Sequence, residues 1–166
     1  MLNTPVFGIL VSLKDMADTS LVSLVVFGVG DLLCALPVSA VSEIVPAQQA
    51  ARIPGALDGV EGLVNVRGRL LTVVDGRRMM SRESGIAAAE PSILLLHVHG
   101  RPLGLLVDQV HDLIHVPPSA LEDRGTLPGV DPRVVSAVGR WEELVFVVLD
   151  PDVVLAPVFV AGEKGR

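Results

Sequence analysis

The chain has 166 residues, half of them apolar, and a formal net charge of −6. That length gives one domain or two small subdomains, large enough to fold without a disulfide or a metal, and the lone Cys34 permits no disulfide within the chain. The acidic balance, one Trp, four Phe and no Tyr leave neither the basic face nor the stacking aromatics that nucleic-acid binding uses.

In chain order, the first apolar run is "PVFGILVSL", Pro5 to Leu13. No basic flank precedes it, and Lys14-Asp15 stand where a signal peptide would have small residues for cleavage. No run reaches the ~18 apolar residues of a membrane helix. The expectation is a soluble cytoplasmic protein without membrane insertion, with residues 1–20 as an N-terminal extension. From there on, abundant Val with frequent Gly and Pro predicts many short strands and turns. "LVVFGVGDLLCALPVSAVSEIV", Leu24 to Val45, reads as strand, Gly30-Asp31 turn, strand, short helical segment and short strand. A loop spans Pro46 to Gly59. The hairpin "GLVNVRGRLLTVVD" follows, from Gly62 to Asp75, with Arg67 and Gly68 at its tip. Asp75 can cap a short helix by accepting backbone N–H bonds. "SRESGIAAAEP", Ser81 to Pro91, is small and polar and reads as a linker.

The second half repeats the first. "ILLLHVHGRPLGLLVDQVHDLI", Ile93 to Ile114, lies over the first block at a shift of 69, with Gly100-Arg101-Pro102 at the turn. Val38, Val41, Glu43, Ile44 and Val45 fall on Val107, Val110, Asp112, Leu113 and Ile114. After the loop Pro117 to Pro132, a second hairpin matches at a shift of 75, placing Asp150 on Asp75 and Glu142-Glu143 on Arg67-Gly68. Pro151 then takes the first helical position, where its missing N–H does no harm. Each half reads as five short strands, a small barrel or half-open sheet, and the two copies share a core. The end of the chain, Val153 to Ala161, is too apolar to hang free. It is expected to pack on a barrel or pair with a sheet edge, with residues 156–166 as an apolar tail.

Catalytic signatures are missing from this pattern. There is no G-x-S-x-G elbow, no P-loop and no Cys pair for zinc. Gly28 and Gly30 form a bare G-x-G without the third glycine of a dinucleotide loop. His97 and His99 stand two apart on a predicted strand and so share a face; His111 and His115 flank a short apolar strand. Histidine pairs can bind zinc, but no third ligand is fixed, and the four read as surface positions. Cys34 reads as a small buried hydrophobe. No catalytic residue, metal or cofactor is expected. The reading from another class is a small-ligand or metal-binding barrel using His97 and His99.

"GLVNVRGRLLTVVDGRR", preceded by "ALPVSAVSEIV" and followed by "LGLLVDQVHDLI" in the second half, resembles the CheW-like domain family of chemotaxis coupling proteins. The likeness runs from about Val22 to Leu155, giving a domain over 21–155. It implies a mainly β fold of two intertwined five-stranded barrels of the Src-homology-3 type, with short helices and no catalysis. It also implies a stand-alone adaptor joining the cytoplasmic tip of a methyl-accepting chemoreceptor to the regulatory domain of a CheA-type histidine kinase. A decoy that binds receptor alone is the alternative within the family. The receptor tip, a helical hairpin, would lie in an apolar groove between the barrels. Carried over by position, the partner-binding residues are Val38, Val41, Glu43, Ile44, Gly62, Asn65, Arg67 and Gly68, with Val107 and Val110 from the second half. The family topology brings Arg67 to Glu43, so a fork-shaped guanidinium should meet a carboxylate there, partly shielded from water. One departure is Gly76, where the family usually has Leu; it weakens the helix start by about 1 kcal/mol.

Overall fold

The structure is a computed structural model that describes residues 20–82, 87–123 and 126–158. The first half forms β1 (Val22–Val29), β2 (Leu32–Pro37), a 3-10 turn (Val38–Ala40), β3 (Val41–Pro46), β4 (Val60–Val66), β5 (Arg69–Asp75) and α1 (Gly76–Met79). The second half forms β6 (Ser92–Val98), β7 (Arg101–Val107), β8 (Gln109–Val116), a 3-10 turn (Pro118–Ala120) and β9 (Leu121–Asp123). It ends in a 3-10 turn (Pro132–Val134), β10 (Val135–Trp141), β11 (Leu144–Leu149) and α2 (Pro151–Val154).

The strands make two sheets, one ordered β8-β1-β2-β11-β10-β9 and the other β3-β6-β7-β5-β4. The halves therefore trade their leading hairpins. β1–β2 joins the second-half strands, with Cys34 of β2 parallel to Val147 of β11. β6–β7 joins the first-half strands, with Gly104 of β7 parallel to Val73 of β5. The exchange explains the uninterrupted apolar runs, since a strand buried on both faces has no polar side to alternate. In β1, Leu24 and Val26 face a core inside the six-stranded sheet, whereas Phe27 and Val29 face a larger core between the sheets. Val45, Val64, Val66, Leu71, Val73, Ile93 and Leu95 fill the five-stranded sheet. Each sheet curls around its own core, and a third core joins the two barrels.

Several local expectations change. The second-half turn is His99-Gly100, with φ of +51° and +74°, so Arg101 and Pro102 already belong to β7. A two-residue loop takes that left-handed pair because its twist matches the flanking strands. His99 thus leaves the strand and does not share a face with His97. His111 and His115 lie within β8 rather than beside it. Between β7 and β8 there is only a bend at Asp108; the helical turn comes after β8, and β9 forms inside the expected loop and extends its sheet to six strands. The aspartate caps form as expected, Asp75 accepting from the Arg77 N–H at 2.9 Å and Asp150 from the Asp152 N–H at 3.0 Å.

Gly76 has a steric reason. A Cβ there would sit 2.7 Å from the Leu106 carbonyl oxygen, so the missing side chain lets α1 press against β7. At the other end Val154 and Leu155 are buried, and a further helical turn at 156–158 brings Val158 onto the inter-barrel core. The apolar end packs on a barrel over its described part; residues 159–166 lie outside the described residues. So do 1–19 of the expected extension and 83–86 of the linker.

Candidate functional site

The site grows from the β4–β5 hairpin. Arg67 and Gly68 both take left-handed backbone, φ +52° and +81°, and Val66 faces Arg69 across the turn. Asn65 holds the turn by accepting the Gly68 N–H on its Oδ1 at 2.8 Å, the local bond that favours Asn in turns. From this tip the Arg67 guanidinium reaches Glu43 on β3, Nη2 to Oε1 at 2.5 Å. β3 and β4 stand at opposite ends of the strand order, so the ion pair spans the open seam of the curled sheet. The carboxylate side chain is 29% exposed and the arginine 77%. Shielding from water therefore applies to the acid and not to the guanidinium.

Beneath the pair is a cavity of about 230 Å³. Its floor is the buried Val66, Leu71, Leu95 and Leu96, and its rim is Ser42, Glu43, Arg67, Arg69, His97 and Pro102. A larger cleft of about 610 Å³ lies under the loop between β3 and β4.

The residues expected at a partner face divide into three groups. Glu43, Asn65, Arg67 and Gly68 gather at the hairpin tip, and Ile44 is exposed beside Glu43 on β3. Val41 and Val110 pack at the margin of the inter-barrel core, with Val38 half-buried in the 3-10 turn between β2 and β3. Val107 and Gly62 are enclosed. Val107 is 2% exposed within the inter-barrel core. Gly62 sits at a bulge with φ +148°, where a Cβ would strike the Ala51 carbonyl. That glycine lets Ala51 exchange two 2.8 Å backbone bonds with Leu63, covering the β4 edge. These two residues are buried and shape the surface from within.

Sequence reasoning passed over Leu70, which is 67% exposed on β5. It also passed over Asp108, at the crossing from β7 in one sheet to β8 in the other. Its Oδ1 accepts Arg77 Nε at 2.7 Å, and its Oδ2 accepts Arg77 Nη2 at 3.0 Å and the Gly30 N–H at 2.7 Å. The Asp108 N–H in turn donates to the Gly28 carbonyl at 2.9 Å. The hydrogen bonds that Arg77 donates to Asp108 raise the Arg77 pKa above its ordinary value. No local pattern signals a pair 31 positions apart.

Burial pushes the Cys34 thiol up to about 12, against a lowering by Arg82. His97 flanks the small cavity, whereas His99 turns toward Asp152, Nε2 to Oδ1 at 3.9 Å. Among the described residues no group of three His, Cys, Asp or Glu side chains is placed to hold a metal ion, and no helix is long and apolar enough to cross a membrane.

What remains is a double-barrel β protein whose distinctive surface joins exposed charge to an apolar recess, the makings of a protein contact. The CheW-like domain family matches residues 23–158. The chain belongs to that family of chemotaxis coupling proteins. It is similar to chemotaxis protein CheW of Rhizobium meliloti, 38% identical over 97 residues that cover 56% of this chain and 60% of that protein. The chain thus spans about three-fifths of the length of that relative. Chemotaxis protein CheW of Bacillus subtilis is 26% identical over 134 residues, covering 80% of this chain and 85% of that protein. Among solved structures, the scaffolding protein TtCheW from Thermoanaerobacter tengcongensis shares the fold with a TM-score of 0.73 at 22% identity, covering 78% of this chain and 89% of that one.

Proposed function

We propose that the chain is a non-catalytic cytoplasmic adaptor coupling methyl-accepting chemoreceptors to a CheA-type histidine kinase. Membership of the CheW-like family supports the adaptor class. The observation that carries the contact face is the Arg67–Glu43 pair across the seam of the five-stranded barrel. The turn itself needs only Asn65 and Gly68, and the matching hairpin turns with Glu142-Glu143 in place of Arg67-Gly68. A pair this exposed adds only about 0–1 kcal/mol to stability. Its use is then to fix a charged surface that a partner reads, since charge complementarity sets specificity and encounter rate.

The test is binding of the purified full chain to a receptor signalling-domain fragment and to a kinase regulatory domain, separately and together. A ternary complex supports coupling. Binding to the receptor fragment alone leaves the decoy form of the adaptor, and binding to neither partner sinks the proposal.

A further inference from the structure

We infer that the cavity of about 230 Å³ under the Arg67–Glu43 pair is a socket for one aliphatic side chain of a partner protein, with a partner carboxylate beside it on Arg69. This rests on the reading above that the hairpin tip meets a partner, and it specifies that partner's chemistry. Small-molecule pockets usually hold roughly 300–1,000 Å³. This cavity is smaller, so a side chain fits it better than a free ligand. Its floor is apolar: Leu71 and Leu95 are 5% and 8% exposed, and Pro102 is a further apolar residue in the lining.

The rim sets the sign. Glu43 is already held by Arg67, whereas Arg69 has no ion-pair partner among the described residues. One guanidinium is left uncompensated beside an apolar recess, on a chain whose net charge is −6. A carboxylate is the group a bidentate guanidinium binds best. The larger cleft is less one-sided, because its lining carries Asp58 and Glu61 beside Arg52 and Arg78, with Arg78 reaching Glu61 at 3.9 Å. Two exposed aliphatic residues adjoin the rim in sequence, Ile44 after Glu43 and Leu70 after Arg69. An acidic–aliphatic segment docked over the seam would cover exposed apolar area of this kind, as apolar interface residues do.

The experiment compares the full chain with Arg69→Glu, which reverses the rim charge, and His97→Trp, which plugs the recess. Arg140→Glu on β10 is the charge control. Arg69 and His97 are exposed, so melting curves should match the parent. The probes are the receptor signalling-domain fragment and the kinase regulatory domain, each titrated separately. The expected result is at least a tenfold weakening toward one probe by both rim variants and none by Arg140→Glu. A Glu→Lys or Asp→Lys change in that probe should then restore binding to Arg69→Glu. Parental affinity in both rim variants, or equal weakening by Arg140→Glu, overturns the socket while the adaptor reading stands. A parent chain that binds neither probe overturns the adaptor reading and the socket with it.

Discussion

Replacing Arg67 separates binding from folding. The side chain is 77% exposed and holds a carboxylate that is 29% exposed, so Arg67→Ala removes an exposed pair worth about 0–1 kcal/mol. For a domain of this size 1 kcal/mol moves the melting point by about 2–4 °C, which bounds the expected shift. Arg67→Gly is the sharper variant. Arg67 has φ +52°, a left-handed conformation that disfavours a side chain by about 1–2 kcal/mol and suits glycine. Losing the pair and relieving the backbone oppose each other, so melting should not fall below the parent and should rise by at most about 8 °C. Binding should not be spared. Cutting one partner from a charge pair that becomes desolvated in a complex costs about 2–5 kcal/mol, roughly thirtyfold or more in affinity. Differential scanning calorimetry and titration against receptor and kinase fragments measure the two effects. Parental affinity in both variants would reduce Arg67 to a turn residue. A melting drop beyond about 8 °C would mean that the exposed-pair arithmetic misjudges a structural strut.

Breaking the second charge node should act on stability. Asp108→Asn weakens a forked bond between side chains about one-fifth exposed, and a loss of about 1.5–3 kcal/mol is expected for charged hydrogen bonds; a double-mutant cycle with Arg77→Ala that proved additive would refute the coupling. Truncation after Asp152 removes buried Val154 and Leu155, so light scattering should show aggregation, and a truncated chain as soluble and stable as the parent would refute the packing. Changing His97 and His99 together to Gln should leave circular dichroism near parental, and loss of folding would give one of them a structural role. Cys34 should resist a thiol reagent at pH 8 until the chain is denatured. Its folded pKa of about 12 lies above the ordinary 9.0, so its contribution to stability is whole below pH 9 and is lost as pH climbs toward 12; a stability curve flat across that window would contradict the burial.

Much of the fold was legible because apolar runs and turn residues are local signals. The strand order of the first half, both aspartate caps and the Arg67-Gly68 tip all come from such signals, whereas β9 and the late helical turn of the second half do not. The Arg67–Glu43 pair came from the family topology, since nothing in the spacing joins β3 to the β4–β5 turn. The exchange of hairpins was not legible in residue terms, because periodicity shows that Leu24 to Val29 are buried but not that β8 and β11 bury them. The burial of Gly62 and Val107 was not legible for the same reason. Their identity reports a close backbone approach and a core position, which look like surface requirements when only the motif is seen. The carboxylate of Asp108 depends on a fold-level crossing that no window of sequence contains.

The traded hairpins also set an order of events during synthesis. The β1–β2 hairpin leaves the ribosome first, yet its flanking strands are β8 and β11, and 112 residues separate Pro37 from Leu149. At roughly 5–20 residues per second, the β2 edge waits on the order of 6–22 s for its neighbour. A nascent chain therefore carries an apolar hairpin whose β1 edge is unpaired until β8 is made and whose β2 edge is unpaired until β11 is made. Its aggregation hazard belongs to that interval, and slower translation of the second half should lower the soluble yield without altering the finished protein.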